Sequence, residues 1–196
     1  MQVLDEEKRL KILLAAARLF ATQPFHKVLL SEVAEGAGVG KGTLYTYFKS
    51  KEDLYFSVLH NGFSDLVARL RVQIDEESHS PLENLEAAVR GTVEFAFQSP
   101  HHFEIMRTVS KHHAGVRAKL DTERRELKRL IESVIRSGIH GGVFEDPHPE
   151  LTAPFILGCI RSVLFGGIES VDADTLTAHV LRFVLASIQV REEVTS

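Results

Sequence analysis

The sequence predicts an all-α protein of about nine helices, a three-helix amino-terminal head followed by a larger helical domain. Three observations predict it. Apolar residues recur at helical spacing along most of the chain, strand-like alternation is nowhere sustained, and glycine, proline and capping residues fall between the periodic segments. With 196 residues, 44% of them apolar and 26% charged, the chain can bury one large or two small ordinary cores.

The elements follow in order. From Asp5 to Ala21, Leu10, Ile12, Leu13, Ala16, Ala17, Leu19 and Phe20 recur at helical spacing, with Asp5, Glu6 and Glu7 at the end where the macrodipole favours negative charge. Gln23 to Lys27 contains Pro24 and reads as a connection. Leu30, Val33, Ala34 and Ala37 form a short second helix ended by Gly38, and a third runs from about Gly40 to Phe48. Ser50-Lys51-Glu52-Asp53 resembles a capping box and opens a long fourth helix, whose inward stripe is Tyr55, Val58, Leu59, Phe63, Leu66, Val67, Leu70 and Ile74. Ser80, Pro81 and Glu83 start a fifth, with Leu82, Leu85, Val89, Val93 and Ala96 on one face.

Ser99-Pro100 opens a shorter sixth helix, Pro100 to about Ser110, and Gly115 precedes a charged seventh that ends near Ser137-Gly138. The glycines and prolines between Gly138 and Pro149 then break the chain. Two helices remain, roughly Pro149 to Gly166 and Asp172 to Val190. The last carries Val180, Leu181, Phe183, Val184, Leu185, Ala186 and Ile188, apolar nearly all the way round. Such a helix is expected to pack on its own domain and on something else, a second copy of the chain being the simplest partner.

Charge and composition exclude several classes. A net charge of -4 is too small for a disordered acidic chain and too negative for a uniformly basic nucleic-acid coat, so any polyanion site must be local. The single cysteine, Cys159, rules out internal disulfides and any Cys-rich zinc module. The stretch from Met1 to Lys11 is rich in charge, so no secretory signal is expected to begin there. Arg161 splits the longest apolar candidate for a membrane span, which needs about 18 residues. A cytoplasmic protein without membrane contact is the expectation.

Function is concentrated between Ser31 and Phe48. Two helices that cross steeply through a short turn need a small residue where the backbones touch, supplied by Ala34, and a turn residue that accepts positive φ, supplied by Gly38. Val33, Val39 and Leu44 complete a small core, while Lys41, Thr43, Thr46 and Tyr47 stay outside. This is a helix-turn-helix whose second helix presents its amino-terminal end for a DNA major groove. A merely solvated helix face would not place two tyrosines and a lysine around Gly42.

The run from Ala34 to Phe48 (AEGAGVGKGTLYTYF), followed by Lys49-Ser50-Lys51-Glu52-Asp53-Leu54, resembles the amino-terminal DNA-binding domain of TetR-family transcriptional regulators over roughly residues 8 to 60. The resemblance implies a helix-turn-helix domain at 1–50 and a divergent ligand-binding and dimerisation domain at 51–196. It also implies that Lys41, Gly42, Thr43, Tyr45, Thr46, Tyr47 and Lys51 fall where family members touch DNA. Thr43 and Thr46 suit base edges, Gly42 allows close approach, Tyr45, Tyr47 and Lys51 suit the phosphate backbone, and Lys41 suits either. Residues 1–55 carry eight Lys or Arg against seven Asp or Glu, net +1, leaving fifteen against twenty, net -5, for the remainder. The sequence departs from the family near Pro24, where a glycine is usual, near Leu29, where Thr or Ser is usual, and at Gly40, where Ser is usual. Leu29 therefore offers no hydroxyl cap and Gly40 only a weak one.

The expected regulator is a homodimer joined through its last two helices, reading a palindromic double-stranded operator and released as a repressor by a small, largely apolar effector. Phe63, Phe97, Phe103 and Met106, with Phe56 and Phe95, are the apolar candidates for an effector cavity, and His101 and Arg107 the polar ones. The residues alone leave open whether this Phe-rich face lines a pocket or is core. No catalytic site, metal or cofactor is expected. There is no nucleophile elbow, phosphate loop or His-Glu metal motif, and the adjacent pairs His101-His102 and His112-His113 point about 100° apart on a helix. The alternative is a helical carrier or adaptor without sequence-specific DNA binding.

Overall fold

The computed structural model describes residues 5–74, 79–98, 114–165 and 171–188. Eight α-helices and no strands lie among them: α1 (Glu6–Thr22), α2 (Leu30–Gly36), α3 (Lys41–Tyr47), α4 (Lys51–Ile74), α5 (Pro81–Phe97), α6 (Ala114–His140), α7 (Pro149–Phe165) and α8 (Ala173–Ser187). The short helix expected at Pro100 to Ser110 lies outside the described residues.

Local chemistry fixes the helix ends. The Asp5 carboxylate accepts from the Glu7 and Lys8 amides at 3.0 and 3.3 Å and starts α1. Ser50 Oγ accepts from the Asp53 amide at 3.1 Å, as the predicted box requires, while Asp53 Oδ2 accepts from the amide of Lys49, one residue before the cap, at 2.9 Å. Ser80 and Glu83 close a reciprocal box at the start of α5, at 3.3 and 2.7 Å. Asp172 caps α8 through the Thr175 amide at 2.7 Å.

Two glycines end helices in the same way. Gly38 has φ 66°, with the Gly38 amide on the Glu35 carbonyl at 3.0 Å and the Val39 amide on the Ala34 carbonyl at 2.9 Å. Gly142, φ 72°, repeats the pattern after α6 through Ile139 and Gly138. Both are Schellman closures, which need a left-handed residue just past the helix. The expectation that α6 stops near Ser137-Gly138 is therefore corrected to His140. Gly138 serves packing instead: the Phe144 ring lies against its α-carbon, where a methyl group would collide with it.

The chain divides into two compact units, one formed by residues 1–63 with 98–122 and the other by 64–97 with 123–196. In the first, α1 packs on α2 and α2 on α3. Ile12, Leu13, Ala16 and Phe20 of α1 meet Val33, Ala34, Leu44 and Phe48 in its core, and Leu54, Tyr55, Phe56 and Leu59 bury the start of α4. Tyr55, Phe20 and Phe25 form an aromatic cluster with ring centroids 4.6 to 5.8 Å apart.

In the second unit α5 lies along α8, which also packs on α7. Its core takes Leu85, Ala88, Val89 and Val93 from α5, Leu127, Ile131, Val134 and Ile135 from α6, Ala153, Ile156 and Ile160 from α7, and Leu176, Val180 and Val184 from α8. Leu82, expected on the buried face of α5, is exposed, because the inward stripe begins one turn later at Leu85. The buried hydroxyls of Thr92 and Thr177 donate to carbonyls of their own helices at 2.7 Å, so neither needs an outside partner. Among the described residues no helix is long and apolar enough to cross a membrane.

Candidate DNA-binding interface

The seven-residue α3 has one inward line and one outward face. Leu44 is fully buried and Phe48, one turn on, nearly so, which anchors the helix from below. Lys41, Gly42, Tyr45 and Thr46 fall on the opposite side and are exposed, Tyr45 by 49%. Thr43 is half-buried at the edge. The Thr46 hydroxyl donates to the Gly42 carbonyl at 3.1 Å, which leaves its lone pairs and methyl directed outward. No side chain meets Gly42 within 4 Å of where a β-carbon would stand, so the backbone there is open to close approach.

Neither α2 nor α3 receives a side-chain cap from the residue before it, as Leu29 and Gly40 dictate. Glu32 compensates in part by accepting from the Leu29 amide at 3.2 Å.

Two of the seven expected DNA residues are tied inward as well. Tyr47 is half-buried, and its hydroxyl accepts from the Asp5 amide at 3.1 Å, linking the end of α3 to the start of α1. Lys51 is also half-buried; its Nζ donates to the Val28 carbonyl at 2.9 Å and to the His26 carbonyl at 3.4 Å. Sequence reasoning did not foresee these bonds. One signal was available for the lysine, since a cation at the first position of a helix opposes the macrodipole and calls for a compensating contact.

Two of the six effector candidates fall among the described residues. Phe63 is almost buried on α4 and Phe97 is half-buried at the end of α5, while His101, Phe103, Met106 and Arg107 lie outside the described residues. Among the described residues no three His, Cys, Asp or Glu side chains group as a metal ion would require. Cys159 is half-buried on α7 and Arg161 is exposed there.

A short outward helix behind a glycine-hinged turn, carried on a small buried core, defines a helix-turn-helix DNA-binding protein. Two family models match, the bacterial regulatory proteins of the tetR family over residues 12–58 and the tetracyclin repressor-like C-terminal domain over residues 78–165. The chain belongs to the TetR family of DNA-binding transcriptional regulators, which are not enzymes.

Among its relatives, the uncharacterized HTH-type transcriptional regulator YhgD of Bacillus subtilis is 29% identical over 81% of this chain and 83% of its own. The fatty acid metabolism regulator protein of the same organism is 23% identical over 89% of this chain and 84% of its own. Two solved structures share the fold. FadR from Bacillus subtilis in complex with stearoyl-CoA has a TM-score of 0.69 and 22% identity, covering 92% of this chain and all of FadR. A transcriptional regulator from Saccharomonospora viridis in complex with choline has a TM-score of 0.77 and 22% identity, covering 96% of this chain and all of its own.

Proposed function

We propose that this regulator is a homodimeric repressor that binds a palindromic operator through α3 and leaves it when a long-chain acyl thioester binds. The observation that carries the DNA half is the exposed face of Lys41, Gly42, Tyr45 and Thr46 over buried Leu44. Thr43 and Thr46 read base edges, Gly42 lets the backbone approach closely, Tyr45 and Tyr47 hold the phosphate backbone, and Lys41 reaches a base or a phosphate. The Tyr47 hydroxyl already accepts the Asp5 amide, which polarises its own O–H for donation to a phosphate oxygen. The reading head occupies residues 1–50, and 51–196 carry the effector and dimer functions in the cytoplasm.

Ligand chemistry separates the two molecules bound in the structural neighbours. A quaternary ammonium such as choline is held by an aromatic cage, best made from Trp and Tyr. This chain has no Trp, and its three tyrosines, Tyr45, Tyr47 and Tyr55, all lie near the head. Its twelve phenylalanines suit an apolar chain instead, with Arg107 supplying charge for an anionic end. The fatty acid regulator among its relatives supports the same class.

Gel shifts with duplexes tiled across the region upstream of the chain's own gene test both halves. One duplex is expected to bind with an affinity that falls steeply as salt rises. Stearoyl-CoA at micromolar concentration is expected to release that duplex, while choline and free coenzyme A leave it bound. Absence of any preferred duplex overturns the DNA reading, and release by choline alone overturns the acyl one.

A further inference from the structure

Lys51 opens α4 at the end of a helix where a positive charge is disfavoured, and Glu52 and Asp53 already supply the acids that this end prefers. Among the described residues no carboxylate pairs with it. Its ammonium instead sits 4.6 Å from the centroid of the Phe25 ring and spends two of its three N–H groups on the His26 and Val28 carbonyls. All three partners belong to the connector between α1 and α2. Tyr55, one turn further along the same face of α4, sets its ring edge-on to Phe25 with centroids 5.5 Å apart.

Apart from Lys51 and Tyr55 the connector is held by apolar contact, with Val28 fully buried and the Phe25 ring stacked on Phe20 at a centroid distance of 5.8 Å. One turn is closed by the Lys27 amide on the Pro24 carbonyl at 2.9 Å, and Leu29, which follows, gives α2 no side-chain cap. The entry angle of α2 therefore depends on how firmly the connector is seated, and α3 packs on α2.

We propose that Lys51 is a positioning residue: with Tyr55 it clamps the α1–α2 connector onto the start of α4, and so sets the pose of α2 and α3 instead of holding a DNA phosphate. The proposal rests on α3 being the DNA-reading helix. An ammonium that donates to two carbonyls and lies on an aromatic ring keeps one N–H free, and it cannot swing outward to a phosphate without loosening the contacts that hold the connector.

The test compares wild type, Lys51→Met and Lys51→Arg in the full chain. Amide hydrogen exchange without DNA is expected to quicken at residues 25–33 in Lys51→Met and to return towards wild type in Lys51→Arg, which keeps both the donors and the stacking surface. On the preferred upstream duplex Lys51→Met is expected to lose about tenfold in affinity, the scale of one charge-assisted hydrogen bond, with the salt slope unchanged. On a scrambled duplex it binds like wild type, a selectivity that general destabilisation would not produce. A slope reduced by about 0.9 per copy, with equal losses on both duplexes, identifies a phosphate contact and overturns the proposal. Unchanged exchange at residues 25–33 overturns it as well. If wild type prefers no duplex, the DNA reading has failed, and the exchange arm alone still decides whether the clamp exists.

Discussion

Gly38 and Gly42 stand one helical turn apart in number and do opposite work. Gly38 has φ 66° and open space around the site of a β-carbon, so Gly38→Ala meets no collision and reports backbone strain alone. It is expected to lower stability by about 1–2 kcal/mol in urea unfolding. Gly42 lies inside α3 with ordinary φ and equally open surroundings. Gly42→Ala is expected to stabilise the fold by up to about 0.5–1 kcal/mol, the helix-interior difference between glycine and alanine being an upper bound in the first turn of α3. If α3 reads DNA as proposed, the same methyl lies in its path, and affinity for the preferred duplex should fall at constant or higher stability. A Gly42→Ala protein that binds DNA as wild type would remove this face of α3 from the interface.

Helix ends carry much of what was legible in the sequence. Ser50 and Ser80 were readable as caps because a hydroxyl before a periodic run, with an acid three residues on, has one economical use, whereas Asp5 and Asp172 were legible only as the first residues of such runs. The end of α6 was misread at Gly138, since sequence cannot tell a glycine kept for φ from one kept to admit the Phe144 ring. The inward ties of Tyr47 and Lys51 were equally hidden, because they join residues far apart in the chain through backbone groups that all residues share. The caps predict a pH response. Backbone amides, from Lys8, Ser80 and Thr175 respectively, together with further polar contacts, hold the carboxyls of Asp5, Glu83 and Asp172 below their usual values. Groups depressed in the folded state stabilise it above their unfolded pKa, about 4, and lose that contribution as pH falls through the folded value. Thermal stability is expected to be level from pH 7 to pH 5 and to drop below about pH 4. Asp172→Asn keeps an acceptor at every pH and should flatten part of that drop; an unchanged profile would show the cap contributes nothing.

At the scale of the whole molecule, the proposed homodimer needs an apolar surface that one chain leaves uncovered. Phe155 on α7 and Phe183 on α8 are 65% and 63% exposed, and Leu151, one turn before Phe155, is 48% exposed. Gly158 and Ser162 extend the row of Leu151 and Phe155 along α7, so little rises above the aromatic ring to block a flat approach. The apolar character of the last helix was legible in the sequence: Val180 and Val184 are buried in the unit, while Phe183 on the same helix is exposed. A second copy related by two-fold symmetry would bury the row against itself and set two reading heads about 34–36 Å apart, or a multiple of that, to match successive major grooves. Phe155→Glu places a charge at the centre of that contact without touching the core. Sedimentation equilibrium is expected to show wild type as a dimer and Phe155→Glu as a monomer with unchanged helical circular dichroism. Because the second head then no longer binds as a tethered partner, affinity for a two-half-site duplex should fall by about 10²–10⁴-fold, while a single half-site is bound equally by both proteins. A variant that stays dimeric, or a wild type that is itself monomeric, would move the assembly surface away from α7 and α8.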